Sequence, residues 1–372
     1  MRFLSLCNLL AVTLLLMTFS LGRTPSSFCV LTVAVPALDI PLPVQMVLAY
    51  GWQVRMSEYA IGQAWWTLGG WGITFLVEAE RYHELQEAVP KEWQQVKWGV
   101  LTVRQARWLA TQELQRWQRE PMVWLQWQAR TFAIGQPLLV PDQTLQVRLD
   151  EVEAAHTRLV RREPLLLLSP SSSRCEFTVL SRNPMPLPSP RRPLRISFRR
   201  EFRHPDSQRA HALWWLVTDS DQVVAWVLGE WLGGGTGARW FQLLRGDQPL
   251  AYHALAQVQL TPLGTELSLY SASMPSHLPV VQQRARALWT DLLNGRISAD
   301  ELERAKRLAE LRYHQLIADP LKAHQAVACW LMAGKPAKAW QQLPERFRTL
   351  QLSAVKSFCR TLPSAAELVM RP

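Results

Sequence analysis

The sequence repeats one pattern of helix signals in its two halves. Residues 99–105 open a helical pattern that ends at Pro121, and residues 295–301 open one that ends at Pro320. After each proline a second helical stretch follows, at 122–132 and at 321–332. A repeat at about half the chain length predicts the duplication of one domain, which restricts the fold to two similar units.

The ends of the repeated pattern also correspond. Each long helix opens on the spacing of a capping box, Ser or Thr followed three residues later by Glu or Gln, which places the caps at Thr102 and Ser298. Each half then closes with a helix, a proline and a short apolar strand. The closing helices are 149–162 and 353–362, and the closing strands are 165–168 and 367–370.

Strand signals precede the helices of the second half. Residues 194–198 alternate apolar and polar side chains, and residues 212–217 form a continuous apolar run. A short helix, 223–232, follows, and then two further strands, 254–260 and 265–271. We therefore predict an α+β fold in which each half is a sheet with helices packed on it.

A proline-rich segment separates the halves. Residues 169–193 contain a run of serines and then prolines at 184, 186, 188, 190 and 193. Prolines at this density prevent a helix and favour an extended, semi-rigid chain. We predict an N-terminal domain at 28–168, a Pro/Ser/Arg-rich linker at 169–193 and a C-terminal domain at 194–372.

The first residues have the layout of a secretory signal. Arg2 precedes an apolar stretch, 3–21, and small residues follow at the position that a signal peptidase reads. We predict a signal peptide at 1–22 and a periplasmic or extracellular location. The alternative is an uncleaved membrane anchor, because the stretch nearly reaches spanning length.

The chain is basic, with a formal net charge of +11. Export argues against nucleic acid as a partner, so the charge favours acidic peptides or an anionic envelope surface. One cluster of arginines is interpreted as a solvated strand face and linker, with an anionic partner as the alternative: 191, 192, 195, 199, 200, 203 and 209.

Four cysteines lie outside the predicted signal. Cys29, Cys175, Cys329 and Cys359 have no spacing typical of a metal site. In an oxidising compartment they could form two disulfides, or they could remain isolated buried thiols.

The second half carries the features of a known family. Residues 232–245 form a glycine-rich turn followed by Ala, Arg, two aromatic residues and Leu-Leu-Arg, and residues 249–252 read Pro-Leu-Ala-Tyr. Together with residues 297–306, this stretch resembles the second domain of insulinase/pitrilysin-type metallopeptidases, a group that includes the mitochondrial processing peptidase. The resemblance covers most of 194–372, and the first half matches more faintly through 99–168.

Active members of that family carry an inverted zinc motif, His-x-x-Glu-His, on the first helix of the first domain. Two His side chains one turn apart bind the metal, and the Glu activates the bound water. Here residues 44–50 and their surroundings contain no His, and the nearby acids are Asp39 and Glu58. The motif is absent, so the resemblance implies a chain without metal or other cofactor that has no catalytic residues of its own.

Two other positions bear on a metal site. The family's downstream Glu corresponds to Arg116 when counted from Thr102, or to Glu113 when counted from Pro121. His83 is the first histidine of the chain and begins a sequence like His-Glu-x-x-His, but Glu87 stands in place of the second His. One imidazole and one carboxylate make a poor tetrahedral zinc site, so we interpret this segment as an exposed helical turn.

The resemblance retains one pair of substrate-binding residues, Arg245 and Tyr252. In the family, an Arg and a Tyr at this separation project from the second domain, bind the substrate backbone and stabilise the developing oxyanion. The alternative is that Arg245 pairs with Asp247 on the surface and that Tyr252 is half-buried in a strand. The glycines at 233–237 are interpreted as a helix cap and tight turn, not a phosphate loop.

Three functions remain as hypotheses at this point. The first is a non-catalytic subunit that forms a heterodimer with a zinc-bearing insulinase-type homologue and binds peptide or unfolded polypeptide. The second is a peptidase-derived envelope protein with a binding or assembly role and no proteolytic role. The third is an active enzyme with an unusual metal site at His83.

Overall fold

The computed structural model describes residues 28–140, 142–161, 164–170, 177–180, 194, 197–204, 207–246 and 249–372. These residues form an α+β structure built on two sheets, one in each half of the chain, as the sequence predicts. The predicted signal segment, 1–22, and most of the linker, 169–193, lie outside the described residues. Within the part that is described, no helix combines the length and the apolar character needed to cross a bilayer.

The first sheet has the strand order β2-β3-β1-β4-β5, and its central strand β1 is antiparallel to both neighbours. The strands are β1 (Phe28–Pro36), β2 (Ile61–Thr67), β3 (Gly70–Glu78), β4 (Leu165–Pro170) and β5 (Thr178–Val179). The helices of this half are α1 (Leu42–Arg55), α2 (Tyr82–Gln95), α3 (Val100–Arg119), α4 (Pro121–Ala133) and α5 (Leu149–Val160). Helix α1 packs along α3 and on β2 and β3.

The second sheet repeats this plan with the order β6-β10-β7-β9-β8. Its strands are β6 (Arg199–Arg203), β7 (Ala210–Thr218), β8 (Ala251–Thr261), β9 (Gly264–Ser273) and β10 (Ala366–Arg371). The helices are α6 (Gln222–Gly233), α7 (Arg239–Arg245), α8 (Leu278–Leu293), α9 (Ala299–Ile317), α10 (Pro320–Met332), α11 (Ala337–Gln341), α12 (Leu343–Thr349) and α13 (Leu352–Cys359). Helix α6 packs on β8 and β9, as α1 packs on β2 and β3.

The two halves exchange one helix each. Helix α4, which follows Pro121, packs on β7 and β10 of the second sheet, and α10, which begins at Pro320, packs on β1, β3 and β4 of the first. Each helix is therefore covered on more than one face, and α4 is buried at most positions from Trp124 to Ala133. A helix covered on several faces is buried around most of its circumference, so its polar side chains need partners within the protein.

Most elements predicted from the sequence are present within a few residues of their expected bounds. Two expectations are wrong. Helix α3 begins at Val100 after Gly99 as its N-cap, with no side-chain cap, so Thr102 is already inside the helix. The first strand of the second half is Arg199–Arg203 rather than 194–198, because this segment pairs in parallel with β10; of 194–198, the described residues 194, 197 and 198 are not in a strand.

The duplicated helix starts provide a matched test of capping. The Ser298 hydroxyl accepts the Glu301 N–H at 3.2 Å, and the Glu301 carboxylate accepts the Ser298 N–H at 3.0 Å. We expect Ser298→Ala to lower the free energy of unfolding by about 1 kcal/mol. Thr102→Ala, at the corresponding position of α3, should leave it nearly unchanged. Urea denaturation of both variants measures the difference, and equal losses would contradict this account of the two caps.

Candidate functional site

The first helix of the first half, where the zinc motif is expected, turns an aromatic face towards α3. Tyr50 on α1 packs against Trp66 of β2, with ring centroids 5.2 Å apart. Burial, and after it the charge of Glu113 on α3, raises the pKa of the Tyr50 phenol above its ordinary value, so this side chain stays neutral. A neutral phenol is a poor metal ligand, and no imidazole lies on this helix.

The aromatic contact continues from Trp66 through two further tryptophans towards the second half. Trp66 meets Trp117 edge-on at 5.8 Å, and Trp117 stacks on Trp127 at 4.7 Å. The guanidinium of Arg130 lies 4.5 Å from the centre of the Trp127 ring. These four aromatic residues, Tyr50 included, form what we call the aromatic row, which occupies the space between α1, α3 and α4 with apolar side chains.

The candidate downstream acid is engaged in a local ion pair. Glu113 accepts hydrogen bonds from Arg116 at 2.6 and 3.0 Å, and from the Trp117 indole N–H at 2.7 Å. Arg116 also binds Glu120 at 2.8 Å. Both positions considered for the family's downstream Glu thus belong to one surface ion pair, and Glu113 is held away from any ligand set by its own helix.

His83 lies on the exposed side of α2, where its ring packs on Tyr82 at 4.2 Å. Among the residues that the structure describes, no group of three or more His, Cys, Asp or Glu side chains is arranged to hold a metal ion. The described cysteines, Cys29, Cys329 and Cys359, are not in disulfides, and burial raises the pKa of the Cys329 thiol to about 12. Cys175 lies outside the described residues.

Arg245 and Tyr252 are brought together at the open edge of the second sheet. Arg245 ends α7, and Tyr252 lies at the start of β8, the edge strand next to β9. The pairing with β9 shifts between Ala251 and His253, so Tyr252 is the extra residue of a β-bulge. A bulge redirects the side chain it carries, and Tyr252 in this strand is 44% exposed.

Arg245 and Tyr252 contact each other and neighbouring residues of the second half. The Arg245 guanidinium donates to the carbonyl oxygen of Tyr252 at 2.8 Å, and the Tyr252 hydroxyl donates to the Met274 sulfur at 3.2 Å. The Arg209 guanidinium lies over the Tyr252 ring at 4.3 Å. Asp247, the alternative partner of Arg245, lies outside the described residues. A thioether is a weak acceptor, so the hydroxyl of Tyr252 can be released to a stronger one.

Polar contacts between the halves were not indicated by the sequence. Arg130 of α4 binds Glu266 of β9 through both carboxylate oxygens, at 2.8 to 3.0 Å, and both side chains are buried. Gln126 donates to Gln257 at 2.7 Å. The sequence signal for these contacts is the presence of Gln and Arg in an otherwise apolar stretch of α4. Their partners lie more than 100 residues away, so spacing along the chain cannot identify them.

The glycine-rich segment after α6 has the structural role predicted for it. Helix α6 ends at Gly233, and Gly235 has φ +98°, a conformation that favours glycine. A Cβ on Gly233 would lie 2.2 Å from the Cβ of Ala256, so the glycine also permits close approach of β8. The segment is a helix end and turn.

Comparison with known proteins agrees with this fold. Residues 168–309 match a family model described as the peptidase M16 inactive domain. No curated protein matches the sequence. Solved structures that resemble the chain include a protease from Helicobacter pylori, with a TM-score of 0.73 and 12% identity over 93% of this chain and 95% of that one.

Two other similar structures extend the comparison. One is the peptidase M16 inactive domain from Pseudomonas fluorescens, with a TM-score of 0.59 and 13% identity over 93% of each chain. The other is a chain of complex III from Candida albicans, with a TM-score of 0.69 and 9% identity over 94% of this chain and 92% of that one. At these identities the structural likeness establishes the fold. The resemblance indicated by the sequence is therefore confirmed: residues 168–309 match the model of the peptidase M16 inactive domain, and the chain shares the fold of these solved structures.

Proposed function

We propose that this chain is a non-catalytic insulinase-type subunit that binds peptide through Arg245 and Tyr252 and pairs with a zinc-bearing homologue. The observation that carries the proposal is the exposure of Tyr252 in a bulge of an edge strand, within hydrogen-bonding contact of Arg245. An edge strand presents unpaired N–H and C=O groups, and an added peptide can use them as a further strand.

The chemistry of the two side chains suits a peptide carbonyl. Arg245 offers a fixed positive charge with several donors, and Tyr252 offers a neutral hydroxyl donor. Arg245 donates to the Tyr252 carbonyl, a hydrogen bond that a peptide carbonyl could replace with an equivalent one, and Tyr252 donates to a sulfur atom, which is a weak acceptor. Nearby Leu255 and Met274 are exposed and would contact apolar side chains of the peptide.

A partner is required for hydrolysis in this proposal. The aromatic row fills the region of α1 and α3 with groups that do not bind zinc, so the water that attacks an amide would have to be activated on another chain. The similar chain from complex III belongs, by its name, to a larger assembly, which supports a role as one subunit of a complex. Export through the segment at 1–22 is part of the proposal.

Mixing experiments test the proposal directly. The purified chain alone should not hydrolyse a peptide, and the mixture with a zinc-bearing insulinase-type homologue should do so faster than the homologue alone. In the mixture we expect Tyr252→Phe to lower kcat/KM by about 100-fold, as for loss of one oxyanion donor, and Arg245→Ala to lower it at least as much.

Matched variants separate the site from general effects on the surface. Tyr59→Phe and Arg307→Ala remove the same groups elsewhere and should leave the mixed rate unchanged. Rates equal to wild type in both site variants would refute the assignment of Arg245 and Tyr252. A chain that forms no complex with any zinc-bearing homologue would instead support the second hypothesis, a binding or assembly protein without a proteolytic role.

A further inference from the structure

A pocket of about 350 Å³ opens between the two halves, beside the start of β7. Arg119 and Pro121, at the junction of α3 and α4, form one side of it. His204, Arg209 and His211 are among the residues of the second half that form the other. None of the described residues that line it is acidic. We call this space the basic pocket.

The positive charge of the basic pocket is not neutralised by the chain as far as the structure describes it. Neither Arg119 nor Arg209 forms an ion pair with a described carboxylate, and Glu120, the acid next to Arg119, is bound by Arg116 at 2.8 Å. The pKa of His211 is lowered to about 4, first by burial and then by the charges of His204, Arg209 and His253. The described arginines of the pocket therefore contribute a positive field that a negative ligand would relieve.

Hydrogen bonds hold the wall of the basic pocket in place. The Ser207 oxygen accepts the Arg209 N–H at 3.2 Å and lies 3.0 Å from the Arg209 carbonyl and from His211 Nε2. His211 Nδ1 lies 2.7 Å from the Tyr270 hydroxyl. One consistent set of donors has Tyr270 donating to Nδ1, Nε2–H donating to Ser207, and Ser207 donating to the Arg209 carbonyl. A neutral His211 thus positions the backbone that carries Arg209.

One imidazole nitrogen at the pocket lacks a partner. His204 Nδ1 is buried and has no hydrogen bond to a described residue, while its Nε2 lies 3.4 Å from the Gln118 carbonyl. Two guanidinium groups around one space can bind an oxyanion with charge-assisted hydrogen bonds.

The basic pocket adjoins the candidate peptide site. The same Arg209 that lines the pocket lies over the ring of Tyr252 at 4.3 Å. We propose that the basic pocket binds an oxyanion, and that this oxyanion is a carboxylate of an acidic peptide held at Tyr252. The choice of a peptide as the source rests on the proposed function, whereas the binding of an oxyanion by Arg119 and Arg209 does not.

Binding measurements on the full chain test both parts. Two labelled peptides that differ only by Asp or Asn, and inorganic phosphate, are titrated separately against wild-type chain at low salt. We expect the Asp peptide to bind about tenfold more tightly than the Asn peptide, as for one charge-assisted hydrogen bond. Arg119→Gln and Arg209→Gln should each remove most of that difference. Arg104→Gln, on the exposed side of α3 about 20 Å along the same helix, should retain it.

The outcomes distinguish the pocket from the proposed function. Equal binding of both peptides, unchanged in Arg119→Gln and Arg209→Gln, would overturn the pocket and leave peptide binding intact. Phosphate binding that depends on Arg119 and Arg209, with no binding of either peptide, would support the oxyanion pocket and overturn the peptide as its source. Absence of binding by all three probes would overturn the proposal entirely. Thermal unfolding midpoints equal to wild type show that the variants are folded.

Discussion

Arg130→Met in the full chain is expected to lower the free energy of unfolding by about 3–5 kcal/mol, the cost of leaving one charge of a buried pair without its partner. Arg130 and Glu266 are each only 3% exposed and are joined by hydrogen bonds to both carboxylate oxygens. Without the guanidinium, the donor that remains for Glu266 among the described side chains is the Trp215 indole N–H, at 3.3 Å. Urea denaturation followed by tryptophan fluorescence measures the loss.

Two controls identify the cause of this loss. Adding Glu266→Gln to Arg130→Met removes the isolated charge, so the double variant should be more stable than Arg130→Met alone. Arg348→Met breaks an ion pair with Glu310 in which the arginine is largely exposed, and it should change the unfolding midpoint little. A double variant no more stable than the single one would show that lost packing, and not the isolated charge, determines the cost.

Lowering the pH should destabilise the folded chain already at pH values above those at which its carboxylates become protonated. Burial lowers the pKa of His324 to about 3 and, with nearby positive charges, that of His156 and His211 to about 4. In the unfolded chain a histidine titrates near 6.5, so between these values the unfolded state binds more protons. Stability is therefore complete above pH 6.5 and falls with decreasing pH, by up to about 1.4 kcal/mol per pH unit for each histidine.

His324 provides the sharpest form of this test. It is fully buried between the halves, with Nδ1 3.1 Å from the Thr32 hydroxyl and Nε2 2.5 Å from that of Ser169. Between pH 6.5 and 5, His324→Gln should reduce the slope of unfolding free energy against pH by an amount that grows to about 1.4 kcal/mol per unit at the lower pH. His83→Gln, at an exposed position, serves as the control for this change in slope. An unchanged slope in His324→Gln would mean that this histidine is protonated in the folded chain.

The second half was more predictable from sequence than the first. The apolar residues of its strands and helices recur with the expected period, and the helix ends are marked in the sequence, as by the Ser298 cap and the glycines after α6. Residues 28–99 gave no such signals. Helix α1 is buried at most positions around its circumference, so it lacks the polar stripe that marks an amphipathic helix. This helix is stabilised by packing against α3 and the sheet, and these tertiary contacts cannot be inferred from the local sequence.

The candidate site was also predictable from the sequence only in part. The absence of His from α1 can be read directly from the sequence, and the resemblance supplied Arg245 and Tyr252. What fills the region could not be predicted, because the aromatic row joins α1, β2, α3 and α4. Spacing also failed to decide between Glu113 and Arg116, since the two lie about one turn apart on the same helix face and form one ion pair. The bulge at Tyr252 likewise depends on the pairing of β8 with β9.

The exchange of α4 and α10 has a consequence for how the chain can be divided. Each sheet is covered in part by a helix encoded in the opposite half, so a fragment cut at the linker would expose an apolar sheet face and carry an orphaned helix. The sequence repeat thus reflects two similar arrangements of helices and strands, and it does not mark two units that fold independently. We therefore expect a change that destabilises one half to destabilise the other, and we expect neither half to fold by itself.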